Sequence, residues 1–491
     1  MGDARYLIGV QSGREVTYLE LALHMQAWHV EPPPLTRGVS RIGLLISDPV
    51  EFAVTFVSLV ALGHWVVPLD PTLANLAPPE LNERLGALHL TSVVSDQPAP
   101  SDLGIQWRSV EPGQGRHAVQ EADSGGPVAG GVILSSSGTS GIPKVVMLAS
   151  RQLLETAWLV ARHNELAVTD VGFNPLPLWH INAQVVGVLA TLVAGSSLVL
   201  DDRFHRTGFW TKMEHYGVTW INAVPAIIAR LMILRDNEAV PESVRFIRSA
   251  SAPLAPALLV EFERMLKVPV IETYGMTEAA SQICANPLWG PRKSGSVGKP
   301  VGVELRIRPL EVASTPSGTE SVVGEVEIRG SSVIKRYESA GLEDRFDEQG
   351  WLKTGDQGYL DGDGYLYLVG RTDDVINRGG EKIFPREIEN VVLVVNGVAN
   401  AAVIAIADDV FGQVPALYLQ VRPGSADDPG NRIESVLFEV RALLEQRFAK
   451  PMRPVEIIVV ESMPVHATGK IQKRMLTHES VVVLKRLAMT W

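Results

Sequence analysis

Cysteine is nearly missing from this chain of 491 residues, and Cys284 alone can form neither an intramolecular disulfide nor an all-cysteine metal site. Positive charge is short too: 44 Lys and Arg stand against 55 Asp and Glu, a formal charge of −11. Nucleic acid and anionic membrane would both be repelled, so neither is an expected partner. A small anionic ligand needs only a local positive site and stays open. Long apolar runs are also lacking. The longest, Phe52 to Val67, is broken by Thr55, Ser58, Gly63 and His64 and falls short of the ~20 residues of a membrane span. A buried helix leading into a strand suits it better. The first residues, Met1-Gly2-Asp3-Ala4-Arg5-Tyr6, hold no basic stretch leading into an apolar core, so a cytoplasmic location is the expectation.

Apolar residues make up 46% and charged residues 20%, the mix of a globular protein with a large core. The length, about three times a common ~150-residue domain, predicts more than one domain. Strand candidates Val39–Ile46, His64–Leu69, Gly131–Ser135, Ser197–Leu200, Thr219–Ala223, Phe246–Ser249 and Val268–Thr273 alternate with helix candidates. The helices are Glu51–Leu62, Ser150–His163, Ala183–Leu192 and Ala226–Asp236. Such alternation predicts an α/β fold with parallel sheets covered by helices. From about Ser294 shorter strands with Gly, Pro and Asp turns predict a small β-rich subdomain. Residues 373–491 carry strands Val398–Ile406, Ala416–Val421 and Val455–Val460 and a helix, Ile433–Phe448, enough for a core of their own.

The segment most loaded with chemistry is Leu134-Ser135-Ser136-Ser137-Gly138-Thr139-Ser140-Gly141-Ile142-Pro143-Lys144, directly after a strand candidate. Glycines let backbone N–H groups approach an anion, hydroxyls add donors, and Lys144 supplies charge, which together make a phosphate cradle. It is not a Walker A loop, because G-x4-G-K-[ST] is absent. A Ser/Gly hairpin loop would use the same residues. The pattern resembles the phosphate loop of the acyl-adenylate-forming (AMP-binding) enzymes: acyl-CoA synthetases, nonribosomal adenylation domains and luciferase-type ligases. Val145 stands where that family usually has glycine.

Further segments resemble the family's motifs in the same order. In Tyr274-Gly275-Met276-Thr277-Glu278 an aromatic ring can stack on adenine, a hydroxyl can bond phosphate, and Glu278 can ligate Mg²⁺. In Trp351-Leu352-Lys353-Thr354-Gly355-Asp356 the carboxylate suits a ribose diol, since its two oxygens accept two O–H donors. The segment from Gly370 to Asn377 implies a ribose or phosphate contact for Arg371 and an interdomain hinge at Asp373. Gly379 and Gly380 match the family's acceptor-channel glycines. Pro464-Val465-His466-Ala467-Thr468-Gly469-Lys470 matches the final motif, whose lysine stabilises the adenylation transition state. Taken singly, each of these could be an ordinary turn charge or a surface lysine.

The resemblance runs from about Val39 to Arg474. It implies an N-terminal ATP- and carboxylate-binding domain, residues 1–372, of two sheet subdomains plus the β-rich one, and a mobile α+β lid, residues 373–491. It also implies ATP and Mg²⁺, with Ser136, Ser137, Gly138, Thr139, Ser140, Gly141 and Lys144 around phosphate, and Ala252 and Pro253 beside Tyr274 on adenine. Thr139, His180, Glu278 and Lys470 are the expected catalytic set. Trp179, His180, Ser249, Ser251 and Met276 are expected around the acyl group, although His180 equally suits a packed histidine at a helix start. Ser249-Ala250-Ser251-Ala252-Pro253-Leu254 replaces the usual Gly-rich stretch, which points to a small or aromatic acid rather than a long-chain one. The texture is closest to small-acid ligases of the oxalate-CoA ligase type. CoA is the expected acceptor; a free amine, as in stand-alone amide-bond synthetases, is the alternative. A regulator that kept the fold and lost catalysis is the reading from another class, and it would be expected to lack Lys470 or Glu278.

Overall fold

The computed structural model describes residues 2–27, 41–100, 105–110, 130–136, 144–232, 239–314, 320–339, 341–422, 429–465, 470–476 and 481–489. Ser137, Gly138, Thr139, Ser140 and Gly141 of the expected phosphate loop therefore lie outside the described residues.

The apolar run near the start folds as helix Pro49–Ala61 followed by strand Trp65–Pro68. Asp48 caps the helix by accepting the Glu51 N–H at 2.7 Å, and Pro49 opens the first turn where its missing N–H costs nothing. The strand joins a six-stranded sheet in the order Gln106–Ser109, Ser92–Ser95, Arg41–Leu45, Trp65–Pro68, Gly131–Ser136, Lys144–Ala149, parallel except for the last pair. That last pair is antiparallel and joins Gly131 to Ala149 and Ser136 to Lys144, the two residues that flank the undescribed part of the expected phosphate loop.

A second sheet has nine strands among the described residues. Its centre runs Val270–Tyr274, Phe246–Ser249, Trp220–Ala223, Val171–Asn174, Ser197–Leu200 and Arg5–Gly9, all parallel to their neighbours. Strands Trp220–Ala223 and Phe246–Ser249 are buried at every position, as expected where helices cover both faces. A four-stranded antiparallel sheet follows: Glu304–Ser314, Glu320–Arg329, Leu352–Leu360 and Leu366–Arg371. It is the β-rich subdomain read from the sequence.

One apolar core gathers residues from Tyr6 to Leu366, and a separate one gathers residues from Ile376 to Met489. Between them lies the short turn Thr372–Asp374, which holds exposed Asp373. The C-terminal sheet includes Val398–Asp408, Gly412–Val421 and Glu456–Val460, with helix Pro429–Arg447 supplying Val436, Leu437, Val440 and Leu444 to the core. Lid helix Pro385–Val392 also packs on strand Leu366–Arg371, so the two bodies touch.

Two expected helices differ in detail. Residues Ala183–Leu189 form a π-helix that continues as α-helix Ala190–Ala194, and the helix expected from Ala226 starts one residue earlier, described as Pro225–Leu231, with its expected end at Asp236 outside the described residues. Residues 233–238 are outside the described set. Among the described residues no helix is long and apolar enough to cross a membrane.

Candidate active site

Parallel sheets bind ligands at the carboxyl ends of their strands, where side chains and loops are free of the ladder. Strand Val270–Tyr274 delivers Tyr274 to that edge. Its hydroxyl donates to Asp356 Oδ2 at 2.5 Å, and Arg371 Nη1 donates to Asp356 Oδ1 at 3.0 Å. Asp356 and Arg371 face each other in the antiparallel register of Leu352–Leu360 and Leu366–Arg371, so the ladder itself sets the pair. Thr354 Oγ1 accepts the Asp356 N–H at 3.0 Å and donates to the Val326 carbonyl at 2.7 Å. Gly355 is required at this bend: its φ is +77°, and a Cβ would lie 2.9 Å from Arg371 Nη2 and 3.2 Å from Arg345 Nη1.

After Tyr274 the chain doubles back on itself. Ser281 N–H donates to the Met276 carbonyl at 3.1 Å and Ile283 N–H to the Tyr274 carbonyl at 2.8 Å. A Cβ on Gly275 would fall 1.4 Å from the Ser281 carbonyl oxygen, so only glycine fits. Ala280 and Ser281 both take positive φ, +49° and +95°, conformations that cost a non-glycine residue free energy and cluster at functional sites. This loop holds Thr277 and Glu278 in a turn, Thr277–Ala279. Glu278 is buried, and its Oε1 accepts the Tyr337 hydroxyl at 2.9 Å. Lys144 stands 6.0 Å from the centroid of the Tyr337 ring. Its pKa is lowered by desolvation first and by the Arg345 charge second, with Glu278 acting in the opposite sense.

The lid brings Lys470 to the same place. Its side chain keeps solvent contact, yet enough protein surrounds it to lower its pKa, by desolvation first and then by Arg371, while Asp356 and Asp374 oppose. Lys470 therefore lies within electrostatic reach of the Asp356–Arg371 pair, across the boundary between bodies. His466 to Gly469 are outside the described residues. Gly379 and Gly380, φ +58° and +101°, form a two-residue turn between Ile376–Arg378 and Glu381–Ile383, the geometry that asks for glycine at both positions. Both are exposed on the lid.

Around the expected acyl site, Ser249 is buried and its hydroxyl has no partner among the described residues, whereas Ser251, at φ +71°, and Pro253 are exposed. Ala252 and Met276 are half-buried, and Met276 packs on the main core. His180 lies beside Trp179, ring centroids 5.9 Å apart, three residues before the π-helix, an irregularity frequent at functional sites. Trp179 lines a cleft with Ile46, Phe52, Leu176 and Asp201, between the two parallel sheets. Cys284 is buried, and burial pushes its thiol pKa far up, so it is no thiolate nucleophile.

Sequence reasoning missed two features. Arg386 of the lid helix has a buried Nε with no hydrogen-bond partner among the described residues and is close enough to Glu272, Glu389 and Asp356 for their charges to oppose the desolvation that lowers its pKa. Arg248 is buried inside strand Phe246–Ser249. A charge within an otherwise apolar strand was its visible signal.

Residues 35–338 match the model of the AMP-binding enzyme family, and residues 387–470 match that of the AMP-binding enzyme C-terminal domain. Sulfoacetate–CoA ligase of Cupriavidus necator is 38% identical over 356 residues, 72% of this chain and 68% of that one. Oxalate–CoA ligase of Arabidopsis thaliana is 31% identical over 471 residues, 89% and 87% of the two chains. Among solved structures, O-succinylbenzoate coenzyme A synthetase from Bacillus subtilis, in complex with ATP and magnesium ion, superposes with a TM-score of 0.78 at 27% identity, covering 96% of each chain. The order of motifs, the two-body fold and these matches agree: the chain belongs to the AMP-binding enzyme family.

Proposed function

We propose that this protein is an ATP-dependent acid–CoA ligase that activates a small or aromatic carboxylic acid as its adenylate. The carboxylate oxygen attacks the α-phosphorus of ATP, the bond to the bridging oxygen breaks, and pyrophosphate leaves. The CoA thiol then gives up its proton and attacks the acyl carbon, releasing AMP. The observation that carries this reading is the convergence of Tyr274, Asp356 and Arg371 from the body with Lys470 from the lid.

Tyr274 offers a ring face to adenine, and Asp356, its carboxylate already oriented by two donors and its backbone N–H bound to Thr354, accepts the ribose hydroxyls. Arg371 and Lys144 set positive charge where phosphates arrive, and Ser136 through Gly141 extend that cradle. Lys470 opposes the charge that builds on the α-phosphate during in-line attack, an effect strongest in the transition state. Mg²⁺ usually takes one or two carboxylates and completes its shell with substrate phosphates and water. A buried carboxylate held by Tyr337 beside Lys144 fits that donor set, so Glu278 would hold the ion, which would neutralise phosphate charge when bound. His180 orients the acid or gates the acceptor, Asp373 is the hinge between residues 1–372 and 373–491, and Gly379 and Gly380 line the acceptor path.

Relatives named for sulfoacetate, oxalate and succinylbenzoate favour a short or aromatic acid and a CoA acceptor. The test is pyrophosphate exchange across an acid panel, followed by product analysis with CoA alone and with amines alone. Acid-dependent exchange and a CoA thioester are expected. Amide formed without CoA, at a rate matching pyrophosphate release, would overturn the acceptor assignment; no exchange with any acid would overturn adenylation.

A further inference from the structure

One charged group at the strand ends is not used by the adenylation chemistry. Arg248 is 1% exposed in a strand buried at every position. Its Nη2 donates to Gln282 Oε1 at 2.7 Å, but Nε and Nη1 have no hydrogen-bond partner among the described residues, and neither has Gln282 Nε2. A guanidinium taken out of water costs several kcal/mol unless an anion compensates it. The neighbouring strand does carry a buried carboxylate, Glu272, yet it points the wrong way. Glu272 is in register with Ser249, while Arg248 is in register with Ile271, so the two charges occupy opposite faces of the sheet. The titratable neighbour within reach of Arg248 is His163, whose pKa burial lowers, the bond to the Asn286 carbonyl opposes and the arginine lowers further, so it supplies no negative charge. Burial alone brings the arginine down to about 9, as expected of a cation without a counter-ion.

The surroundings tie this cation to the acyl side of the site. Gln282 sits between Ser281 and Ile283, whose N–H groups clamp the loop from Tyr274 to Met276. On the same face, Asn222 stands in register with Arg248 and donates to Asn174 Oδ1 at 2.9 Å and to Asn182 Oδ1 at 2.8 Å. Asn182 is two residues past His180, and Asn222 Oδ1 is buried without a partner among the described residues. A buried polar row thus runs from the Tyr274 loop towards His180, with donors left over at its charged end.

We propose that Arg248, with Gln282, binds a second anionic group on the acid, so that the substrate is a dianion: a carboxylic acid carrying another carboxylate or a sulfonate. This rests on the adenylation reading above and names the substrate class for that site. Two charge-assisted donors and one amide N–H meet the oxygens of such a group, and the reacting carboxylate remains free to approach the nucleotide. Neutral isosteres leave the guanidinium buried and unpaired, so discrimination against them is steep.

The test compares matched acids in pyrophosphate exchange: succinate with its monoamide and with butyrate, sulfoacetate with propionate, and phthalate with benzoate. Wild-type enzyme should prefer a dianion over its monoanionic partner by ~100-fold or more in kcat/KM. Arg248→Met should erase that preference while leaving the KM for ATP within about twofold, and Arg248→Lys should keep part of it. The wild-type ratio needs no variant, so it decides the matter even if Arg248→Met folds poorly. Exchange with monoanionic acids equal to or above that with dianions would overturn the proposal and leave adenylation standing. A dianion preference retained by folded Arg248→Met would overturn it too. Exchange with no acid at all would bring down adenylation and this inference together.

Discussion

In the N-terminal body the groups proposed to face the nucleotide are tied to one another before any ligand arrives, whereas the lid offers its proposed chemistry on exposed ground. Asp356 is fixed by Tyr274, Arg371 and Thr354, and Glu278 by Tyr337. Lys470, Gly379 and Gly380 are exposed and take no part in the apolar core of the lid. Pre-organised groups recognise a ligand without paying reorganisation at the moment of reaction. An exposed cation on a separate body can instead be delivered for one step and withdrawn for the next. In the proposed mechanism, binding belongs to the body and timing to the lid.

The sharpest way to break that division is at Lys470. Lys470→Ala should lower pyrophosphate exchange by ~10²–10³-fold, with the KM for ATP little changed, because the ammonium acts mainly in the transition state. Conversion of synthetic acyl-adenylate to thioester should persist near the wild-type rate. Equal losses in both half-reactions would show that the lysine holds the fold together rather than serving one step.

On the body side, Asp356→Ala removes the acceptor for the ribose hydroxyls and strips Arg371 of its counter-ion. The KM for ATP should rise ~30–100-fold, with a smaller fall in kcat, since hydrogen bonds to a charged group are worth about 1.5–3 kcal/mol each. Steady-state kinetics in varied ATP would check it, and an unchanged KM would move the ribose site elsewhere.

Glu272 and Arg386 probe the contact between the two bodies. Burial raises Glu272 from its ordinary 4.5 to about 7, against the pull of Arg386 across the boundary. A carboxyl that holds its proton more tightly when folded adds stability below its unfolded pKa and loses it as pH rises towards the folded one. Wild-type stability should therefore fall by on the order of 1–3 kcal/mol between about pH 4.5 and 7, and Glu272→Gln should flatten that slope. Arg386→Met should push the upper end of the window higher, because its cation is what holds the Glu272 pKa down. Urea unfolding across this range would measure both, and an unmoved window would mean the lid helix does not rest on Glu272 in solution.

The two regions were also unequally legible. The parallel strands announced themselves as short β-branched runs, because burial on both faces permits little else. Tyr274, Asp356, Arg371 and Lys470 lie in segments whose residue types follow from phosphate, diol and charge chemistry, so their order along the chain was readable. Three-dimensional pairing was not. Nothing local to Pro385-Arg386-Glu387 says that Arg386 would reach Glu272, more than a hundred residues away in sequence. Likewise the apolar run Ala183–Leu189 is as compatible with α as with π hydrogen bonding, and packing against Asn174 at Gly187 is visible only once folded. Arg248 was in plain view, but its lack of a counter-ion is a property of the sheet's two faces.

The smallest expected effect concerns Val145, which stands where the family usually has glycine. Its N–H donates to Ser339 Oγ at 2.9 Å, and its carbonyl accepts the Glu338 N–H at 3.1 Å, so this end of the cradle is pinned to the 338–339 segment. Strand Lys144–Ala149 also begins here, opposite Ser136 and Ser135. Glycine would keep both backbone bonds and lose only the side chain and the β-branched restriction on the backbone. Val145→Gly should cost about 1 kcal/mol of stability and change the KM for ATP by less than about threefold. A much larger rise in KM would mean that stiffness in the hairpin, rather than the donors at its tip, sets phosphate affinity, and the body's advantage over the lid would then lie in rigid backbone more than in paired side chains.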